Sequence, residues 1–283
     1  MIRPRSIALS LSHFCPTAAR HLVDGSDEGG VAPVGRPLSM PALEGLDMND
    51  AVVPPLLRPN AACSWPAFEV WERFVLTQLL TPSLPLTRAI DRIAIAAELL
   101  RTWTMKDGPL DQWMAEVASR ATSDGRDTAQ FPPAWSRTLE RSCRARALVL
   151  SCVPEDIRPG HQDAIADDWQ TGAEVADEFP HVVRRYLAAR FWASWVVHDG
   201  GGLRTGVRWL ELVHDVLLWE LGATRRRRSS RDRLLDAIGQ SDLLLVHLLN
   251  PSALARRLSA EEPRPLLSPP RRSSVVGDRM RQP

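Results

Sequence analysis

The stretch Phe179–Leu221, FPHVVRRYLAARFWASWVVHDGGGLRTGVRWLELVHDVLLWEL, decides the fold class. Pro180 can open a helix, because its missing N–H falls in the first turn, where backbone donors have no intrahelical partner. Val183, Tyr186, Leu187, Phe191 and Trp195 then recur every three or four residues, the period of one buried helical face. Beyond Gly200, Gly201 and Gly202 the pattern resumes at Leu203, Val207, Leu210, His214, Leu217 and Leu221. Two helices joined by so short a turn pack antiparallel, so the stretch predicts a helical hairpin.

Outward from the hairpin, helical signals dominate. Ser64 and Pro66 mark a start, with Phe68, Trp71, Val75 and Leu79 as the buried stripe, and the run from Thr81 to Pro85 marks the stop. Leu86, Ile90, Ile93, Ala97 and Leu100 carry the next helix, to about Trp103. Pro109 opens a shorter one with Trp113, Met114, Val117 and Ala121. A loop over 123–133 leads to a helix from Ala134 to about Cys152, then a weaker, acidic helix over 161–177. Arg225–Ser230 is a basic linker and Asp232–Leu249 another helix. Asn250 and Pro251 then suit the N-cap and first position of a last short helix. Residues 6–12 alternate weakly, as a short strand or as the lead into a helix over 15–23. Asp24–Asn60 is rich in Gly, Pro and Asp without periodicity. Residues 261–283 have the composition of a disordered tail. The expectation is an all-α protein, an irregular helical bundle built from antiparallel helical hairpins. Its parts are a largely irregular N-terminal segment 1–62, a helical domain 63–260 and the tail 261–283.

The 283 residues, 44% of them hydrophobic, can bury one sizeable core or two small ones. The formal charge of +1 provides no overall field to attract nucleic acid or a membrane. Lys106 is the only lysine, a usage that reads as the codon bias of a GC-rich bacterial genome rather than as design for phosphate binding. Arg3 and Arg5 precede an apolar run too short and serine-rich for a secretory leader. No run approaches the roughly 20 apolar residues of a membrane span. Four cysteines, Cys15, Cys63, Cys143 and Cys152, are too few for a disulfide scaffold of this size, and a reducing, cytoplasmic location follows. On one helix, Cys143 and Cys152 fall on opposite faces.

Several constellations bear on chemistry. Glu178 with His181 and Glu211 with His214 have the Glu-x-x-His spacing of di-iron helical bundles, with Glu98 and Glu220 as further carboxylates. Pro180 separates the first pair, and a histidine on an apolar stripe is also an ordinary hydrogen-bonded core residue. Arg225–Arg228, with Arg231 and Arg233, has the charge to grip phosphate but no aromatic or glycine interleaving, as expected of a solvated linker. The triple glycine lacks a preceding strand and the G-x-G-x-x-G spacing of a phosphate loop. Cys15, followed by Pro16, reads either as a metal or cluster ligand, with Cys63 far downstream as the next thiol, or as an inert thiol.

Three segments together resemble the bacterial flagellin lysine-N-methylase family. LSHFCPTAAR (11–20) is similar to that family's N-terminal Cys-Pro-x-x-Ala motif. FEVWERFVLTQLLTPSLPLTRAIDRIAIAAELL (68–100) is similar to its helix–turn–helix with a tryptophan and arginine before a proline-marked turn. RRYLAARFWASWVV (184–197), with WLELVHDVLLWEL (209–221), resembles its RYL-type hairpin. The resemblance implies methyl transfer from S-adenosylmethionine to protein lysines, with flagellin as the protein partner and an iron–sulfur cluster on N-terminal cysteines. Of those ligands Cys15 carries over directly and Cys63 is the other candidate, with a Gly/Pro-rich stretch in place of the rest. The expectation is therefore a diverged lysine-N-methylase-like protein, active or inactive; the alternative is a non-catalytic all-α interaction module.

Overall fold

The computed structural model describes residues 19–20, 22–23, 55–122, 137–159, 166–192, 196–197, 201–224 and 229–260. The expectations for 6–12, 123–133, Arg225–Arg228 and 261–283, and for Cys15, Trp195 and Gly200, lie outside them. The described residues form an all-α, irregular helical bundle with one small ribbon. Strands β1 (Leu56–Arg58) and β2 (Ala61–Ala62) pair antiparallel around a tight turn in which Asn60 takes φ 63°. Nine helices follow: α1 (Trp65–Leu80), α2 (Leu86–Arg101), α3 (Leu110–Thr122), α4 (Leu139–Ser151), α5 (Ala166–Glu178), α6 (Pro180–Trp192), α7 (Leu203–Ala223), α8 (Ser230–Asp242) and α9 (Pro251–Ala260).

Local capping sets several of these boundaries. The Ser64 hydroxyl accepts from the Ala67 N–H, and the Asn250 side-chain oxygen accepts from Ala253 at 3.1 Å. Thr138 caps α4 by accepting from Arg141 N–H at 3.2 Å, so that helix begins at Leu139 rather than at Ala134. The helix expected to run to Leu249 stops as an α-helix at Asp242. It continues as a wider π turn over Leu243–Leu248, a change that the apolar spacing does not reveal.

α7 is the axis of the fold. The sequence assigns it one apolar stripe, yet no residue of α7 is exposed. It packs most extensively on α5, then on α4 and α8, and also meets α2, α6 and α9. Leu203, Leu210, Val213, Val216, Leu217, Leu218 and Leu221 are fully inaccessible, and Phe191 of α6 is buried with them. The α6–α7 hairpin is antiparallel at its turn. Gly206 lies against Val197 and Phe191, while Trp209, farther along α7, donates its indole N–H to the carbonyl of Arg190, earlier in α6, at 3.3 Å.

Gly202 takes φ 76° just before α7, a conformation that strains any residue with a Cβ. A Cβ there would also lie 2.7 Å from the β1 backbone at Leu56 and Arg58. β1 thus clamps the entrance of α7, helped by the Leu56 N–H donating to Val197 O at 2.9 Å, and Leu57 is buried in the core.

Candidate functional site

Burying α7 on every side places His214, Asp215 and Glu220 inside the bundle, and desolvating charge is unfavourable unless it is paired. Arginines from the neighbouring helices supply the pairs. Arg141 of α4 lies 3.2 Å from Asp215 and 3.6 Å from Glu211. Arg146 lies 3.4 Å from Glu220, and its guanidinium stacks 3.7 Å from the centre of the Trp219 ring. The same interval separates Arg141 from Arg146 and Asp215 from Glu220, so α4 runs parallel to α7.

On the other flank, Arg204 of α7 reaches Glu98 of α2 at 3.2 Å, and Arg101 binds the second oxygen of Glu98 at 3.1 Å. Between α6 and α8, Asp242 accepts from the Tyr186 hydroxyl at 3.0 Å and lies 3.5 Å from Arg190.

These environments shift the titrating groups. Burial pushes the Glu220 carboxyl above its ordinary 4.5, with Arg146 opposing. Burial also pushes His214 below 6.5, against the pull of Asp215 beside it. Tyr186 is raised by burial and then by the charge of Asp242.

A second set of arginines closes helix C-termini, whose last carbonyls lack intrahelical donors. Arg58 donates to the carbonyls of Arg101 and Trp103 at 3.0 and 2.8 Å, at the end of α2. Arg184 donates to Leu79 O at 2.8 Å and to Leu84 O, at the end of α1. Arg233 donates to Leu221 O at 3.0 Å near the end of α7, and Arg208 to Leu258 O near the end of α9. These arginines therefore serve the architecture of the bundle.

The residues singled out by sequence do not meet at one centre. Cys15 lies outside the described residues. Cys63 follows β2, is fully buried and has its thiol pushed up to about 12 by desolvation. Cys143 is exposed on α4 while Cys152, its C-cap, is buried. Glu178 is the exposed last residue of α5 and His181 sits in the first turn of α6, so a helix break divides that pair. Glu211 and His214 do share α7, but Glu211 pairs with Arg141, Glu98 with Arg101 and Arg204, and Glu220 with Arg146. Among the described residues no group of three His, Cys, Asp or Glu side chains is placed to hold a metal ion, and none of their helices is long and apolar enough to cross a membrane. An open depression of about 670 Å³ follows the outer face of α1, lined by Glu69, Glu72, Arg73, Leu76, Thr77 and Leu80 with the turn after them.

Sequence inspection missed the Tyr186–Asp242–Arg190 cluster and the stacking of Arg146 on Trp219. Each joins positions dozens of residues apart, and nothing local in the chain marks them. No protein family, curated protein or solved structure matches the chain.

Proposed function

We propose that the chain is a diverged flagellin lysine-N-methylase-like protein of the bacterial cytoplasm that acts as a non-catalytic, all-α interaction module. The observation that carries this reading is the state of the buried acids. Glu98, Asp215, Glu220 and Asp242 each lie within ion-pair distance of an arginine on another helix, so these four buried carboxylates are committed to holding helices together. Cys63 fits the same reading: its side chain is fully buried within the apolar core. The described helices of two segments that carry the resemblance, α1 and α2 within 68–100 and α6 and α7 within 184–192 and 209–221, pack on one another. A retained body of that kind offers a surface for a polypeptide, with flagellin the first to test. The +1 formal charge favours neither nucleic acid nor a membrane as partner.

The test is to incubate the protein with S-adenosylmethionine and flagellin, measure complex formation, and weigh both chains. Binding without a change of mass is the expected result. A gain of about 14 Da per methyl on flagellin lysines returns the protein to the active methylases. In that case, loss of iron and of cluster colour in Cys15→Ala would assign Cys15 to an iron–sulfur site.

A further inference from the structure

Lys106 is the only lysine of the chain. It occupies the middle of the short 3-10 turn Met105–Asp107 that joins α2 to α3. That turn is fastened on both sides. The Asp107 carboxylate accepts from the Thr104 N–H and from the Thr104 hydroxyl, both at 2.7 Å. The Trp103 indole donates to Gly108 O at 3.1 Å, and Arg58 donates to Trp103 O at 2.8 Å. The nearest carboxylate in sequence is therefore folded back onto Thr104 instead of reaching the amine. Lys106 is exposed, and beside it Met105 is 90% exposed, the most open of the large apolar side chains described. A pinned turn thus presents one amine and one apolar side chain to solvent.

We propose that Lys106 is a covalent modification site, the acceptor of an acyl group from an acyl phosphate. The unprotonated Nζ attacks the carbonyl carbon. The C–N bond forms as the C–O bond to phosphate breaks, the phosphate leaves with the electron pair, and the amine's proton passes to water. No oxidant or reductant enters. The chain's other strongly basic side chains are arginines, whose guanidinium stays protonated and does not compete for the acyl group, while an acyl group taken up by one of the seven histidines or by a cysteine is lost again by hydrolysis. The single product amide removes one positive charge and takes the formal net charge from +1 to zero. Zero net charge is the condition in which proteins associate most readily.

The experiment treats the full chain with acetyl phosphate, folded and in urea, and maps the adducts by peptide mass spectrometry. The expected result is an adduct of about 42 Da on Lys106 that forms on the folded chain at least as fast as on the unfolded one. Peptide mapping separates it from any adduct on the terminal amine. Lys106→Arg, at an exposed position, should fold as the parent does and lose the adduct. Protein purified from bacteria that accumulate acetyl phosphate should carry the same modification. Slower reaction on the folded chain than on the unfolded one overturns the proposal. So does protein that leaves such cells unmodified at Lys106.

Discussion

α7 meets the two helices that precede it in the chain, α6 and α5, in different ways. Against α6, its partner in the hairpin announced by apolar spacing, contact is made by side chains: Val197 fills the space over Gly206 and Trp209 reaches the Arg190 carbonyl. Against α5, the backbones themselves come together. A Cβ added at Gly172 would lie 2.6 Å from Gly222 N and 2.9 Å from Leu221 C. α5 is the more extensive partner, although its buried residues, Trp169, Gly172, Ala173, Val175 and Ala176, are mostly small. The size of an apolar stripe shows that a helix is buried. It does not show which neighbour comes closest, because small residues let axes approach.

The largest effect is expected on the α4–α5 side of α7. Arg146→Ala leaves Glu220 buried without its partner, a loss of about 3–5 kcal/mol in urea unfolding. Replacing both residues by apolar ones of similar volume should recover most of it. If the single substitution costs no more than an exposed arginine does, the pair is not holding α4 to α7.

On the α6 side, Leu210 lies one turn beyond Gly206 and is fully buried. Leu210→Ala should cost about 2–5 kcal/mol, depending on how far the site collapses. An unchanged melting temperature would be incompatible with the hairpin packing.

The glycines sharpen the contrast further. Alanine is about 1 kcal/mol better than glycine inside a helix, which partly offsets any clash. At Gly172 the clash is with backbone, so Gly172→Ala should still destabilise by about 1–3 kcal/mol as the helices are forced apart. At Gly206 the obstacle is Val197 Cγ1 at 2.7 Å, part of a buried β-branched side chain with little freedom but not of the backbone, so Gly206→Ala should destabilise, by less than Gly172→Ala does. Equal losses at the two positions would erase the distinction between side-chain and backbone contact.

What the sequence made legible follows from locality. Caps and prolines act within a turn or two, so Ser64 with Pro66, Pro109, and Asn250 with Pro251 mark helix starts that the structure keeps. The hairpin was legible because large side chains recur at the helical period. The β1–β2 ribbon was not: Leu57 is its one buried strand residue, and Pro-rich flanks hide so short a strand. The π turn was not legible either, since its leucines continue the spacing of α8. At the candidate site, Glu211, His214 and Glu220 were recognisable as noteworthy residues on one helix. Their partners Arg141 and Arg146 were not, because ion pairs across the bundle depend on the parallel register of α4 with α7.

The smallest effect concerns pH and comes from two residues of α7 that act in opposite directions. His214 has its pKa lowered below 6.5, chiefly by burial, with Arg137 and Arg141 adding to it and Asp215 opposing. The unfolded chain then takes up a proton that the native state resists, so this group's contribution to stability falls as pH drops below 6.5. Glu220 has its pKa raised above 4.5, again chiefly by burial. As pH rises above 4.5 the unfolded chain releases a proton that the native state retains, so the Glu220 contribution falls with increasing pH until the raised native value is passed. Between those two reference values the slopes compete, and the parent protein should show a flattened profile. His214→Gln removes the first slope, so its unfolding free energy should decline more steeply with rising pH across that window than the parent's does. Glu220→Gln, which keeps a hydrogen-bond acceptor for Arg146, removes the second and should decline more steeply on acidification. Urea unfolding at several pH values from 4.5 to 6.5 measures both. A His214→Gln profile parallel to the parent's would mean that His214 titrates alike in the folded and unfolded chains, and the dry environment assigned to the centre of α7 would have to be abandoned.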